Sequence, residues 1–347
     1  MTENRNITPN QNYFMGRDKQ PETILTTTIE NFRGEENMRE YKIKDTLILA
    51  CDHGYGNIKS CHSVFKASAE VSETAPIFSK DYVKFEDKYY VIGEGHKSFL
   101  ADKIDDDDYY ILTLVAIAKE LALRGLKEAK IHLAVGLPLK WVKAQRDSFK
   151  AYLLRNRYVN FEYREKEYLV EIAGCTVMPQ CYSAVAENLK DFKGLNMLVD
   201  IGNGTMNIMY LNDGRAMENK SWTEKFGVNQ CSIRIRNAVL NETGTHLMDD
   251  VIENFLRTGK ADVEEPYASL IRNTAAEYVS EIFDKLKDYE YNDKLMKLHF
   301  MGGGCKLVET VGQYNVDRTS FIKDICATAK GYEYYCYMGL RRQNQNR

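Results

Sequence analysis

The chain has 347 residues, of which 44% are hydrophobic and 28% are charged, a composition typical of folded globular proteins and unlike that of disordered or collagen-like chains. This length favours two domains, or one domain with elaborations. The 47 basic and 50 acidic side chains leave a net charge of −3, so the sequence lacks the basic excess typical of proteins that bind nucleic acid directly. No apolar run approaches the roughly 20 residues of a membrane-spanning helix.

The first 42 residues are rich in Asn, Thr, Glu and Arg and show no hydrophobic period. We expect a mobile N-terminal arm, which is either a solvated tail or a segment that binds a partner or a second copy. The eight cysteines form no CxxC pair and the N-terminus is polar. These features predict reduced thiols in a cytoplasmic protein without a zinc site.

From Lys44 onward, strand patterns alternate with helix patterns. Extended segments are predicted at Thr46–Cys51, Asn57–Phe65, Tyr89–Ile92 and Ile131–Val135. Helical spacing of apolar residues predicts helices over Tyr109–Ala129 and Lys140–Arg155. The alternation indicates an α/β protein.

An internal repeat lies within this α/β pattern. The segments LILACDHGYGNIK (Leu47–Lys59) and LNMLVDIGNGTMNI (Leu195–Ile208) each run from an apolar strand into Asp-x-Gly-x-Gly and then into a second strand. One such loop is weak evidence, because glycines are common in hairpin turns. Two unrelated hairpins remain the alternative, but two identically spaced loops favour a shared function.

The loop residues suit a phosphate chain. Glycines allow successive backbone N–H groups to surround a polyanion, and an aspartate at a strand end can hold hydrated Mg²⁺. Asp52 and Asp200 occupy these strand ends. Additional hydrogen bonds can come from Asn57, Thr205 and Asn207, and Lys59 supplies a positive charge.

A third glycine-rich element follows in KLHFMGGGCKLVETV. A short strand, Leu298–Met301, leads into Gly302–Gly304, and a helix is predicted from Lys306. Bare backbone at such a junction can support a flat ligand face. The sequence contains neither GxxxxGK[ST] nor GxGxxG, which argues against a P-loop NTPase and a Rossmann dehydrogenase.

In this order, the three elements resemble the phosphate 1, phosphate 2 and adenosine motifs of the actin, heat-shock ATPase and sugar-kinase superfamily. The stretches IHLAVGLPLKWV (Ile131–Val142), GCTVMPQCYSAV (Gly174–Val185) and EKFGVNQCSIRIRNAV (Glu224–Val239) resemble ParM-type bacterial actins, which segregate plasmids. The similarity spans residues 45 to 340.

The resemblance implies roles for individual residues. Asp52 and Asp200 are similar to the aspartates that hold Mg²⁺ through water, and they would act in catalysis with Gln180. The implied nucleotide-binding residues are Gly54, Tyr55, Gly56, Asn57, Lys59, Gly202, Asn203, Gly204, Thr205, Asn207, Gly227, Gly302, Gly303, Gly304 and Cys305.

Three residues of the motifs deserve separate interpretation. Gln180 stands where the best-known plasmid actin has glutamate, and an amide cannot take a proton, so it would orient the attacking water and hydrolysis would be slow. Tyr55 replaces a small hydroxyl residue, and its phenol either reaches the phosphate or packs away from it. His53 is expected to be a surface residue of the loop.

The resemblance also implies an architecture. It is an α/β, actin-like fold of two lobes, each with a mixed β-sheet flanked by helices, with the nucleotide in the cleft between them. Lobe I would comprise residues 43–197 and 328–347, with a small subdomain at about 66–110. Lobe II would comprise residues 198–327, after the arm at 1–42.

The implied function is that of a filament-forming actin-like ATPase, which polymerises head to tail with ATP or GTP and Mg²⁺. It would move plasmid DNA through a DNA-binding adaptor of ParR type, without touching DNA or a membrane itself. Two alternatives are a small-molecule kinase of the same fold and a non-polymerising scaffold or chaperone-like ATPase. The kinase would need a carboxylate base, which no motif supplies. The chaperone-like ATPase would normally carry an extra substrate-binding domain, and the residues after Met301 are too few for one.

Overall fold

The computed structural model describes residues 38–77, 79–93 and 108–345. The predictions for residues 1–37 lie outside the described residues. The described part contains two β-sheets and eight helices.

The first sheet has ten described strands. They are β1 (Lys42–Ile43), β2 (Thr46–His53), β3 (Asn57–Lys59), β4 (Val64–Lys66), β5 (Ala69–Ser72), β6 (Tyr82–Phe85), β7 (Lys88–Ile92), β8 (Glu128–Leu137), β9 (Tyr158–Tyr163) and β10 (Lys166–Pro179). Their order is β4-β3-β2-β8-β10-β9-β6-β7-β5, and β1 pairs with β2. The central strands β2, β8 and β10 are parallel.

The second sheet has five described strands in the order β13-β12-β11-β14-β15. They are β11 (Leu195–Ile201), β12 (Met206–Asn212), β13 (Arg215–Glu224), β14 (Lys297–Met301) and β15 (Thr319–Phe321). Here β11, β14 and β15 are parallel. The repeat in the sequence is therefore a repeat in structure, because β2–β3 and β11–β12 are both antiparallel hairpins beside a parallel neighbour.

Helices cover the two sheets. They are α1 (Asp108–Leu123), α2 (Leu139–Leu153), a 3₁₀ helix (Tyr182–Asp191), α3 (Val228–Thr243), α4 (Asp249–Thr258), α5 (Tyr267–Asp288), α6 (Cys305–Val311) and α7 (Ala327–Gln345). No helix in the described ranges is both long enough and apolar enough to cross a membrane.

Strand β2 is buried on both faces, as its continuous apolar sequence predicts. Leu47, Leu49 and Cys51 point into the core shared with α1 and α2. Ile48 and Ala50 point the other way, into a cluster with residues of α7. The second sheet has its own core with α3 to α6, and on its opposite face a smaller cluster joins it to the 3₁₀ helix.

Helix α1 ends earlier than predicted, because Glu128 and Ala129 belong to β8. Gly125 has φ of +67°, and the N–H groups of Gly125 and Leu126 bond to the carbonyls of Ala122 and Leu121. This is a Schellman motif, which satisfies the last carbonyls of a helix and ends it. The glycine was the sequence signal for this boundary.

The segment Asn57–Phe65 is not extended throughout, which corrects a second prediction. The chain turns between β3 and β4, where the N–H of Ser60 bonds to the carbonyl of Ser63. Buried Glu120 of α1 accepts hydrogen bonds from the Ser60 hydroxyl at 2.5 Å and the His62 N–H at 2.9 Å. Burial alone would raise the pKa of Glu120, but the hydrogen bond between its Oε2 and Nδ1 of the His62 imidazole at 3.0 Å and the charge of Arg124 help to lower it to about 2.

Helix α7 packs closely against β2, β8 and the start of the 3₁₀ helix. A β-carbon at Gly331 would lie 1.7 Å from the carbonyl oxygen of Ser183, and one at Gly136 would lie 1.9 Å from the hydroxyl of Tyr332. Oε1 of the next residue, Glu333, accepts the N–H of Ala50 in β2 at 3.1 Å. Two glycines therefore permit the approach, and one carboxyl bonds the helix to β2.

We expect Glu333→Gln to stabilise the protein at alkaline pH. Burial and the charge of Glu120 raise the pKa of Glu333 from 4.5 to about 7. As pH rises through this window, the unfolded chain releases the proton first, so the free energy of unfolding of the wild type falls by up to about 3 kcal/mol. The amide stays neutral and still accepts the Ala50 N–H, so the variant avoids this loss.

Urea denaturation at about pH 5 and about pH 8 measures the effect. Glu277→Gln, at an exposed position of α5, is the control and should not change the pH dependence. An equal effect of Glu333→Gln at both pH values would contradict the prediction.

Candidate nucleotide-binding site

The first loop of the site connects β2 and β3. Asp52 is buried at the end of β2 and pairs across the hairpin with Lys59. The ammonium of Lys59 lies 3.3 Å from Oδ2 of Asp52, and the amide of Gln180 donates to Oδ1 at 3.1 Å. Both oxygens of Asp52 therefore have partners, and one of them is the predicted water-orienting residue.

The second loop connects β11 and β12, where Asp200 takes the position that Asp52 has in the first hairpin. Burial raises the pKa of Asp200 to about 6 against the opposing charge of Lys59, and Asp52 adds to the rise. Burial would lower the pKa of Lys59, but the charges of Asp52 and Asp200 raise it overall. One ammonium therefore lies in the field of two carboxylates from different sheets.

The two loops lie next to each other. A β-carbon at Gly56 would be 2.7 Å from Cγ of Asn203, so a larger residue would push the loops apart. Gly54 is equally constrained, because a β-carbon there would lie 2.5 Å from the carbonyl oxygen of Asn57. The glycines of the first loop thus serve close packing as well as any approach to a ligand.

The second loop also contacts the first turn of α3. The N–H of Val228 bonds to the carbonyl of Gly202 and that of Asn229 to the carbonyl of Asn203. A β-carbon at Gly227, the cap of α3, would lie 2.2 Å from the same Asn203 oxygen. These contacts place the loop at the positive end of a helix dipole, which favours anions.

The third glycine element lies beside Asp200. Met301 pairs with Asp200 across β14 and β11, and the N–H of Gly304 bonds to the carbonyl of Ile201 at 2.9 Å. A β-carbon at Gly303 would meet no atom within 4 Å. The structure therefore brings all three sequence motifs together, with open backbone at Gly303.

Three other predicted site residues, Thr205, Asn207 and Cys305, are buried within the protein. Asn207 is buried, and its Oδ1 accepts from the hydroxyl of Thr223 at 2.9 Å. Thr205 is buried too. Cys305 begins α6, and burial raises the pKa of its thiol to about 12, so it is a packing residue beneath the loop.

The structure bears on two residues of the first loop, Tyr55, for which the sequence left two orientations open, and His53, which was expected at the surface. Tyr55 is half-buried, and nearby Asn57 is exposed. His53 is not a surface residue, because β2 continues through it and buries it completely. Its Nε2 lies 2.7 Å from the hydroxyl of Thr113, and its ring packs edge-on against Phe149. The prediction failed because these partners come from α1 and α2.

The backbone of Leu137 is a site component that sequence reasoning missed. Its carbonyl accepts the N–H of Gln180 at 2.9 Å, and Leu137 pairs with Pro179 across β8 and β10. The Gly-Leu-Pro-Leu stretch was a signal of family resemblance, and the structure adds that it positions Gln180.

The acidic residues fit Mg²⁺ held largely through water. No cluster of three or more His, Cys, Asp or Glu side chains suited to a metal occurs in the part of the chain that the structure describes. Asp52 and Asp200 offer two carboxylates beside the two glycine loops. Mg²⁺ commonly uses one or two carboxylates, several waters and substrate phosphates.

Comparison with known proteins supports the fold. Residues 50–182 match the family model of the actin-like proteins N-terminal domain. The archaeal actin homologue Ta0583 superimposes with a TM-score of 0.69 at 16% identity, over 84% of this chain and 99% of its own; it has also been crystallised with ADP. No curated protein sequence matches significantly.

Two ParM structures superimpose as well. The apo pSK41 ParM protein gives a TM-score of 0.64 at 16% identity, over 87% of this chain and 99% of its own. ParM from a 15-stranded Clostridium botulinum filament gives 0.65 at 17% identity, over 84% and 99%.

These findings show that the chain has an actin-like fold and that residues 50–182 are similar to an actin-like N-terminal domain. Its α/β fold is the one predicted, with two mixed sheets flanked by helices. Its likeness to ParM and to the archaeal homologue confirms the actin-like fold that the resemblance of the three glycine motifs implied.

We expect Gly302→Ala to destabilise the protein by about 1–3 kcal/mol. Gly302 has φ of +83°, and a β-carbon there would lie 2.3 Å from Oδ1 of Asp200. Gly303→Ala is the matched control, because its β-carbon would meet nothing within 4 Å. Urea denaturation of both variants measures the difference, and equal stability of the two would contradict the account of Gly302.

Proposed function

We propose that this chain is a filament-forming actin-like ATPase that binds ATP or GTP with Mg²⁺ between its two sheets. The observation that carries the proposal is the pair of Asp-x-Gly-x-Gly loops, which face each other with Lys59 close to Asp52 and within the field of Asp200. The ADP complex of the archaeal homologue supports nucleotide binding in this fold.

The proposed roles follow from chemistry and position. The loops Gly54–Asn57 and Gly202–Thr205 wrap the phosphates and offer them backbone N–H groups, except those of Gly54 and Gly202, which donate to the carbonyls of Asp52 and Thr205. Lys59 neutralises part of the phosphate charge. The backbone of Gly302–Cys305, together with Gly227, supports the rest of the nucleotide. Asp52 and Asp200 would hold Mg²⁺ through water, and the ion would supply positive charge to the phosphates.

Gln180 is the proposed water-orienting residue. The backbone N–H of Gln180 donates to the carbonyl of Leu137, and the side-chain nitrogen donates to Asp52. The side-chain oxygen of Gln180 can then accept a hydrogen bond from water. An amide cannot remove the proton, and hydrolysis is therefore slow relative to assembly. A filament needs this order of events, since subunits must assemble before the γ-phosphate is lost.

The proposed assembly is a head-to-tail filament of a two-lobed subunit, with lobe I at 43–197 and 328–347 and lobe II at 198–327. The filament structure of Clostridium botulinum ParM supports self-association in this fold. Plasmid segregation in the cytoplasm would proceed through a DNA-binding adaptor of ParR type, because the chain carries a net charge of −3 and no basic excess of its own.

We expect Mg-ATP or Mg-GTP to induce polymer in the purified protein, because the nucleotide bridges loops from both sheets and so fixes the subunit's shape. Right-angle light scattering and pelleting measure the polymer, with Mg-ADP and nucleotide-free protein as controls. Absence of nucleotide-dependent polymer across salt and protein concentrations would refute the filament proposal. Phosphate transfer to a small molecule without polymer would support a kinase.

We expect Gln180→Ala to lower the rate of phosphate release by about 10- to 100-fold with little change in KM, since orientation of water is a transition-state contribution. A phosphate-release assay measures the rate. Gln313→Ala, at an exposed position, is the matched control and should retain wild-type values. Loss of nucleotide binding in Gln180→Ala would contradict the proposed role.

A further inference from the structure

The chain makes an unusual turn directly after Gln180. Cys181 has φ of 71° and ψ of −67°, and the N–H of Tyr182 bonds to the carbonyl of Gln180 at 2.9 Å. These values define a γ-turn of the positive-φ kind, which is rare and strained for a residue with a side chain. Strained backbone persists only where surrounding contacts hold it, and it concentrates at functional sites.

The contacts before the turn belong to the first sheet. Gln180 follows β10 directly, and its N–H bonds to Leu137 of β8. Its amide donates to Asp52 of β2 at 3.1 Å. Gln180 is thus attached to three adjacent strands of one sheet.

The contact within the turn belongs to the second sheet. The Cys181 side chain is 1% exposed and packs in a cluster with Leu198, Met209 and Met301, which lie in β11, β12 and β14. Its sulfur is 4.0 Å from the carbonyl oxygen of Asn207, across the hairpin from Asp200. Consecutive residues therefore contact different sheets.

After the turn, Ser183 is held to the first sheet again, while Tyr182 and the apolar residues of the 3₁₀ helix pack on the second sheet as Cys181 does. The hydroxyl of Ser183 bonds to the carbonyl of Pro179 at 2.8 Å, and Gly331 of α7 packs against the Ser183 backbone. Residues 179 and 183 therefore brace the turn. Between them, the Cys181 side chain contacts the second sheet, one peptide away from Gln180.

We propose that Cys181 is a positioning residue, which makes the orientation of the Gln180 amide depend on where the second sheet lies. This inference rests on the proposed ATPase function. When nucleotide binding shifts the second sheet relative to the first, the Cys181 side chain moves with the second sheet and the γ-turn aims Gln180. Hydrolysis is in this way linked to closure of the two sheets around the nucleotide.

The test is Cys181→Gly, alone and combined with Gln180→Ala. Glycine adopts positive φ without strain and has no side chain in the second sheet, so the link is lost. We expect kcat for phosphate release to fall about tenfold with KM within about twofold of wild type, as for misplacement of a catalytic group. In the Gln180→Ala background, the same change should cause no further fall, because residues that act through one another are non-additive.

Two further variants distinguish the proposed effect from a general loss of folding. Cys181→Ala keeps the β-carbon and should show the same Gln180-dependent defect at about threefold. Cys231→Ala is the matched control, because Cys231 is also fully buried, in the core of the second sheet, but lies in α3 away from the turn. It should retain wild-type kcat, and thermal melting verifies that each variant is folded.

The outcomes separate this inference from the function on which it rests. If the wild type releases no phosphate from ATP or GTP, the proposed function fails and the inference fails with it. If the wild type is active and both Cys181 variants match it, only the inference is overturned. An equal fall of kcat in the presence and absence of Gln180 would also overturn it, because Cys181 would then be merely structural.

Discussion

The attraction of one ammonium to two carboxylates is the interaction on which the site depends. Asp52 and Asp200 end strands of different sheets, and bringing two such carboxylates together is unfavourable because like charges repel and burial disfavours ionisation. Lys59 lies 3.3 Å from Asp52, and Asp200 also raises its pKa. The positive charge therefore permits the two loops to approach, and the glycines permit their backbones to touch.

Much of this arrangement could be predicted because it is local in sequence. Apolar strands followed by Asp-x-Gly-x-Gly specify hairpins, and a repeated hairpin specifies two similar sheets. The pairing of Asp52 with Lys59 also follows from the short turn between their strands. What these local patterns do not give is the order of the remaining strands, which depends on pairings between distant segments.

The failures have the same physical origin. His53 was expected at the surface because its partners, Thr113 and Phe149, come from helices that follow much later in the chain. The turn after Lys59 was missed because the carboxylate that binds it, that of Glu120, lies in α1. The early end of α1 is different, since Gly125 carried that information locally.

The packing of α7 against β2 has a consequence for biosynthesis. Ile48 and Ala50 lie near the start of the described chain, yet the side chains that cover them, including Tyr332 and Cys336, come from its last helix. Ala50 and Glu333 of α7 are 283 residues apart in sequence, so a ribosome makes β2 long before the helix that covers its second face. Until then this apolar strand face lacks that cover, and exposed apolar surface of this kind favours aggregation of a nascent chain.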